Sequence, residues 1–288
     1  MIQCCSELPF CMLGNELEAN DYDFVLYHQY IHSDTYRENY LRRREEYPHR
    51  MMILDNSAYE FFVSGEQFIP DDYVRVINEL KPDYYIIPDI LMDAEGTAGA
   101  AVGWMNMNYM KCAGSGAKPF FTPQGKTRKE FDWCCQMFDN IIRRLGLPHL
   151  FCIPFHDEFL KIGPIPMDIR NQVYPDPETR ITIDRKYALG RVMLMRDMVE
   201  KYPDYQFHLL GSHDPAELRG YVGMDQIRSF DSGYPVKLGV CGVRIGEEEE
   251  KPDIIIDDFC NAEMNDETKN LILDNIKMMK SYARDGKE

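Results

Sequence analysis

The chain has 288 residues, with 48 acidic against 32 basic side chains and a formal net charge of −16 at neutral pH. That balance argues against a broad nucleic-acid footprint, since neutralising phosphates takes a basic face, and leaves room only for a local basic patch. No apolar run approaches the roughly 20 residues that span a bilayer. The opening Met1-Ile2-Gln3-Cys4-Cys5-Ser6-Glu7 lacks the basic and apolar regions of a signal peptide. Nine cysteines without an export signal point to reduced thiols in a cytoplasm.

In chain order, short apolar runs alternate with longer amphipathic stretches. Strands are expected at Phe24–His28, Met51–Asp55 and Tyr84–Asp89, with an acidic-capped helix at Asp71–Leu80 between the second and third. A strand at Pro119–Gln124 leads into a helix at Arg128–Leu145, and Leu150–Phe155 reads as the next strand. The Pro-, Asp- and Arg-rich stretch from Lys161 to Arg180 reads as a lid, a substrate loop or a surface insertion. A helix follows at Asp184–Lys201 and a strand at Gln206–Gly211. Asp214 and Pro215 then supply an N-cap and a first helical residue for Pro215–Tyr221. Ile227–Asp231 is a strand broken at once by Ser232-Gly233 and Pro235; Asp253–Asp257 is a last strand and Leu271–Tyr282 a closing helix. Continuous rather than alternating runs suit parallel strands buried on both faces. Seven or eight of them alternating with helices predict an α/β fold, a single (β/α)8 TIM barrel over 1–288, with 237–288 as closing strand and helix. A doubly wound open sheet is the runner-up, although no GxGxxG or GxxxxGK[ST] phosphate loop is present.

Three of these strands end on a carboxylate, at Asp55, Asp89 and Asp231, and others end near Gln124 and at Leu210-Gly211. In a barrel such ends converge on one pocket. Asp and Gln can bond the donor and acceptor edge of a purine-like base while Tyr59 stacks on its face. One carboxylate can attack the glycosidic carbon and a second can act as acid or base. Clustered carboxylates also shift one another's protonation. The plain alternative is that each aspartate caps a helix or bonds a turn.

These pieces resemble the tRNA-guanine transglycosylase superfamily, and within it the DpdA-like enzymes of phages and bacteria that place 7-deazaguanines in DNA. Tyr27-His28 resembles the family's Tyr-His strand, and Leu54-Asp55-Asn56-Ser57-Ala58-Tyr59 its Thr-Asp-Ser-Gly-Gly-Tyr motif. Ile87-Pro88-Asp89 resembles the segment ending in the base-reading aspartate, and Pro123-Gln124-Gly125 the Gln-Gln-Gly motif. His208-Leu209-Leu210-Gly211 resembles the Leu-Met-Gly strand, and Phe230-Asp231-Ser232-Gly233-Tyr234-Pro235 the motif that holds the nucleophile. They run in order from about residue 24 to 236. The resemblance implies a TIM barrel and a double displacement. Asp231 would attack C1′ of a nucleotide and release its base, with Asp55 as general acid/base. Asp89 and Gln124 would read the base edge, Tyr59 would stack, and Leu210-Gly211 would wall the pocket. An incoming 7-deazapurine would displace Asp231, with no cofactor.

The chain departs from the family in two places. Only Cys241 and Cys260 follow Asp231, with no later His, so the family's zinc subdomain and its structural metal are not expected. Because that subdomain helps dock tRNA, DNA becomes the expected nucleic-acid partner. Cys152-Ile153-Pro154-Phe155-His156 replaces a Gly-Gly pair whose backbone approaches the base, and Pro154 has no N–H to offer. His156 after this strand could reach the pocket; His213 reads as a turn. Arg42-Arg43-Arg44, Lys126–Lys129 and Arg143-Arg144 are candidate phosphate contacts, or solvated faces. Cys134-Cys135, Trp104 and Trp133 read as packing. No membrane partner is expected, and a homodimer is compatible with the chain. The competing functions are an N-glycosylase or nucleosidase that lets water resolve the intermediate, and a non-catalytic base-binding protein.

Overall fold

The computed structural model of the chain describes residues 2–155, 158–161, 163–212, 214–247 and 263–284, and is mixed α/β with two parallel sheets. Its strands are β1 (Gln3–Ser6), β2 (Asp23–Leu26), β3 (Met52–Asp55), β4 (Tyr84–Ile86), β5 (Lys118–Phe120), β6 (Leu150–Ile153), β7 (Gln206–Leu209) and β8 (Ile227–Ser232). The chain forms two compact units from interleaved segments. One comprises Met1–Asp21, Leu160–Pro203 and Leu209–Glu288; the other comprises Tyr22–Phe159 and Asp204–His208. No described helix is long and apolar enough to cross a membrane.

In the unit built on Tyr22–Phe159, β2, β3, β4 and β5 pair in that order, all parallel. A parallel bridge between Phe121 and Phe151 continues the series toward β6. These strands are largely apolar, with charged residues only at their ends: Asp23, Asp55 and Lys118. Tyr73, on the helix Pro70–Leu80, is fully buried and donates its hydroxyl to the carbonyls of Leu54 (3.2 Å) and Ile86 (2.9 Å). It thereby ties that helix to the ends of β3 and β4. Its ring packs against Tyr27, Phe68 and Trp104. His208 fills the core between Phe24 and Phe120.

In the other unit, β1 runs parallel to β8, with Cys5 opposite Asp231 and Ser6 opposite Ser232. The long helix Ile183–Lys201 has Thr182 as its N-cap and presents Tyr187, Ala188, Arg191, Leu194, Met195 and Met198 to the interior. Gly190 on that helix lets it sit directly on the Leu160 carbonyl, which any Cβ at this position would strike. The 3-10 helix Pro215–Tyr221 is capped by Asp214, which accepts from the Ala216 amide (2.9 Å).

Several expectations need correction. Tyr27-His28 is not strand: β2 stops at Leu26 and Tyr27–His32 is helical, with Tyr27 and Tyr30 buried. The apolar run continued there because helix and strand bury the same residue types. Gln3–Ser6, not expected as a strand, is β1. The Lys161–Arg180 stretch contains a helix, Met167–Val173, and Arg170 ties the following turn by donating to the carbonyls of Tyr174 and Pro177. Arg42-Arg43-Arg44 does not make one basic face. Arg43 is buried on Asp23 (2.8 Å), and Arg44 is paired with Asp83 (3.1 Å). Cys134 and Cys135 are buried packing residues, and Trp104 is core. The expected strand at 253–257, together with His156, His213 and Cys260, lies outside the described residues.

Candidate active site

The structure sorts the expected site residues into two clusters. Asp231, Leu210 and Gly211 belong to the unit holding β1 and β8; Asp55, Tyr59, Asp89 and Gln124 belong to the unit holding β2–β5.

In the first cluster, Asp231 is the penultimate residue of β8 and is only 4% exposed. The strand runs one residue further than expected, and Ser232 ends it. Its hydroxyl donates to the Ser212 carbonyl and accepts from the Tyr234 amide (3.0 Å), which locks the turn after the carboxylate. The Gly211 amide donates to both oxygens of Asp231, at 3.3 and 3.2 Å, and the Ser212 amide donates to the Asp231 carbonyl (3.1 Å). Gly211 reaches this geometry at φ +57°, a left-handed conformation that glycine adopts without a Cβ penalty. A backbone N–H that meets both oxygens of a carboxylate at the end of a strand orients it.

Beneath this turn is a buried ion pair that the sequence reading missed. Arg191 is fully buried and forks onto Glu217 at 2.6 and 3.1 Å. It also donates to the carbonyls of Leu210 (2.7 Å) and Gly211 (2.9 Å). Tyr221 donates its hydroxyl to Glu217. Burial disfavours the charge on Arg191, but the Glu217 carboxylate outweighs it and holds the guanidinium above its ordinary value. Burial likewise pushes the Glu217 carboxyl up, against the pull of Arg191 and Tyr221. A signal was present: residues 187, 188, 194, 195 and 198 place position 191 on the buried stripe of a helix, and an arginine there must have a buried partner.

In the second cluster, Asp89 lies just past β4 and is half-buried. Asn56 donates to one of its oxygens (2.7 Å) and Gln124 to the other (2.6 Å). Desolvation pushes the Asp89 carboxyl up to about 6, even though both amide donors pull it down. Gln124 accepts from the Met92 amide (3.0 Å), so its carbonyl is committed to the protein and its amide to Asp89. Asn56 also donates to the Ile87 carbonyl (2.7 Å) and accepts from the Ala58 amide (2.9 Å), stitching the ends of β3 and β4 together. Asn56 stood within the quoted motif, but no role was expected for it.

Asp55 ends β3 and accepts from the Ser57 amide (2.7 Å). Ser57 is buried at φ +57°, and its hydroxyl bonds the His28 amide (3.1 Å) and ring Nδ1 (2.9 Å). Burial, then the neighbouring His32, lowers His28 to about 4, so it is neutral near pH 7. Met92 shares the left-handed conformation, at φ +57°. Two non-glycine residues held this way beside strand-end carboxylates are stored strain of about 1–3 kcal/mol each, the kind that concentrates at functional sites. Tyr59 follows on the helix Ala58–Ser64 with 58% of its surface exposed, so its ring face is open to a ligand.

Among the described residues, no group of three or more His, Cys, Asp or Glu side chains could hold a metal ion. The two clusters define an α/β protein whose strand ends carry oriented carboxylates. Neither protein-family models nor curated proteins yield a match to the chain.

Proposed function

We propose that the protein is a base-exchanging transglycosylase on a (β/α)8 barrel, acting on a nucleic acid, DNA rather than tRNA, and replacing guanine with a 7-deazaguanine. The observation that carries this reading is the Asp231 carboxylate. It is almost fully buried at a strand end, yet oriented by the Gly211 N–H, as a nucleophile that must leave again requires.

In the first half-reaction an Asp231 oxygen bonds C1′ while the C1′–N9 bond breaks. The bond's electrons go to the base, and Asp55 gives it a proton. In the second, Asp55 takes the N9 proton of the incoming base, N9 bonds C1′, and the Asp231–sugar ester breaks with its electrons returning to the carboxylate. Two faces of Asp89 are already occupied by Asn56 and Gln124, which orients its remaining lone pairs toward the N–H groups of a guanine-type edge. Gln124, with its carbonyl engaged by Met92, acts chiefly by holding Asp89. Tyr59 supplies the stacking face.

The test is an exchange assay with duplex DNA, tRNA and free nucleoside carrying labelled guanine, at rising salt and with a 7-deazaguanine supplied. Exchange into DNA that weakens steeply with salt is the expected result. Label released without uptake of the new base would make the protein an N-glycosylase, and activity on the nucleoside alone a nucleosidase. Base binding without bond cleavage on any substrate would make it a binding protein.

A further inference from the structure

The 210–211 peptide has its two faces assigned to different partners. The Leu210 carbonyl accepts from Arg191 Nη1 (2.7 Å), and the Gly211 amide donates to Asp231 (3.2 and 3.3 Å). A trans peptide is planar and points its C=O and N–H in opposite directions, so anchoring the carbonyl on one side fixes where the N–H aims on the other. Arg191 Nη2 also holds the next carbonyl, Gly211 (2.9 Å), which stops the turn from rotating about its left-handed glycine. We propose that Arg191 is the positioning residue for Asp231. By gripping both carbonyls of the turn it aims the Gly211 amide at the carboxylate.

This inference rests on the reading of Asp231 as nucleophile and gives it a mechanism for release. When the ester between Asp231 and C1′ breaks, negative charge returns to the carboxylate oxygens, and a fixed N–H beside them stabilises that charge as it forms. Fold stability alone does not account for the arrangement. Packed apolar residues replace a buried ion pair at little or no cost, but they cannot bond two turn carbonyls. Nor can lysine, which lacks the planar fork. Glu217 keeps the fork in register by accepting on both oxygens, and Tyr221 and Ser212 (3.4 Å) complete the ring around it.

The test uses the full-length protein with Arg191→Lys and with the paired substitution Arg191→Met/Glu217→Leu, which removes both charges at similar volume and keeps a folded comparison available. Each is checked for a native melting transition. With a guanine-containing oligonucleotide, both variants should form the covalent adduct, while its resolution by added 7-deazaguanine slows about tenfold or more. The KM for the oligonucleotide should not move. Independently of activity, proteins labelled with 15N-glycine report the Gly211 amide, assigned by its loss in Gly211→Ala. In the wild-type background Asp231→Asn should shift that resonance, and in either Arg191 background it should not. Resolution at the wild-type rate, or a Gly211 amide that still responds to Asp231→Asn, would overturn the inference. If wild-type protein forms no adduct, the nucleophile reading fails on its own, and the resonance test still decides whether Arg191 sets the turn.

Discussion

The two clusters solve one problem, holding a carboxylate at a strand end, by different means. Around Asp231 the donor is a backbone amide, and a fully buried arginine behind the peptide fixes its aim. Around Asp89 the donors are two side-chain amides, from Asn56 and Gln124. The left-handed position beside Asp231 is a glycine; those beside Asp55 and Asp89 are Ser57 and Met92. Under the proposed function the difference matches two roles. A group that must leave an ester benefits from a fixed dipole at the departing charge. A group that reads a base edge benefits from a clamp that sets its plane and from desolvation that sharpens its hydrogen bonds.

Breaking each support separately should separate the clusters. Arg191→Ala strands Glu217 as an unpaired buried charge and should cost about 3–5 kcal/mol in urea unfolding; a loss below about 1 kcal/mol would mean that the ion pair does not organise its unit. Asn56→Ala leaves the Ile87 carbonyl and one Asp89 oxygen a donor short and should cost about 1–3 kcal/mol. Because the Asn56 bond lowers the Asp89 value, the carboxyl's titration midpoint should rise above about 6 in this variant, read by side-chain carbon NMR. Gly211→Ala forces a Cβ into a left-handed position and should cost about 1–2 kcal/mol.

The pH dependence has opposite signs at two residues of the second cluster. Asp89 is raised from 3.8 to about 6, so its contribution to stability is full below about 3.8 and is lost as pH rises through about 6. His28 is lowered from 6.5 to about 4, so its contribution is full above 6.5 and is lost as pH falls through about 4. His28→Asn should therefore lose less stability than wild type on acidification from pH 6.5 to 4, measured by urea unfolding at each pH. An unchanged pH profile would remove His28 from the account.

Much of the framework was legible because β3, β4 and β6 are short, mostly apolar runs, and because helices such as Arg128–Leu145 carry clear caps and stripes. β1 was hidden because Gln3-Cys4-Cys5-Ser6 offers neither a β-branched nor an aromatic residue. The helix Asp34–Glu46 has no apolar stripe at all. Its buried face is made of Tyr36, Tyr40 and Arg43, and Arg43 is neutralised by Asp23. At the site, strand-end carboxylates announced themselves through the turn residues behind them. Their supports did not, because the Arg191–Glu217 pair joins residues 26 apart in sequence, and Asn56 acts on Asp89 from a neighbouring strand. Such partners follow from three-dimensional pairing, which periodicity does not encode.

The central claim is that Asp231 forms a bond to the sugar. Intact-mass measurement of acid-quenched protein, after incubation with a short guanine-containing DNA and no incoming base, tests it most directly. The account predicts a species heavier by the oligonucleotide less guanine, mapped to the peptide carrying Asp231, and its absence in Asp231→Asn. An adduct that persists in Asp231→Asn, or none in the wild type on DNA, RNA or nucleoside, would contradict it.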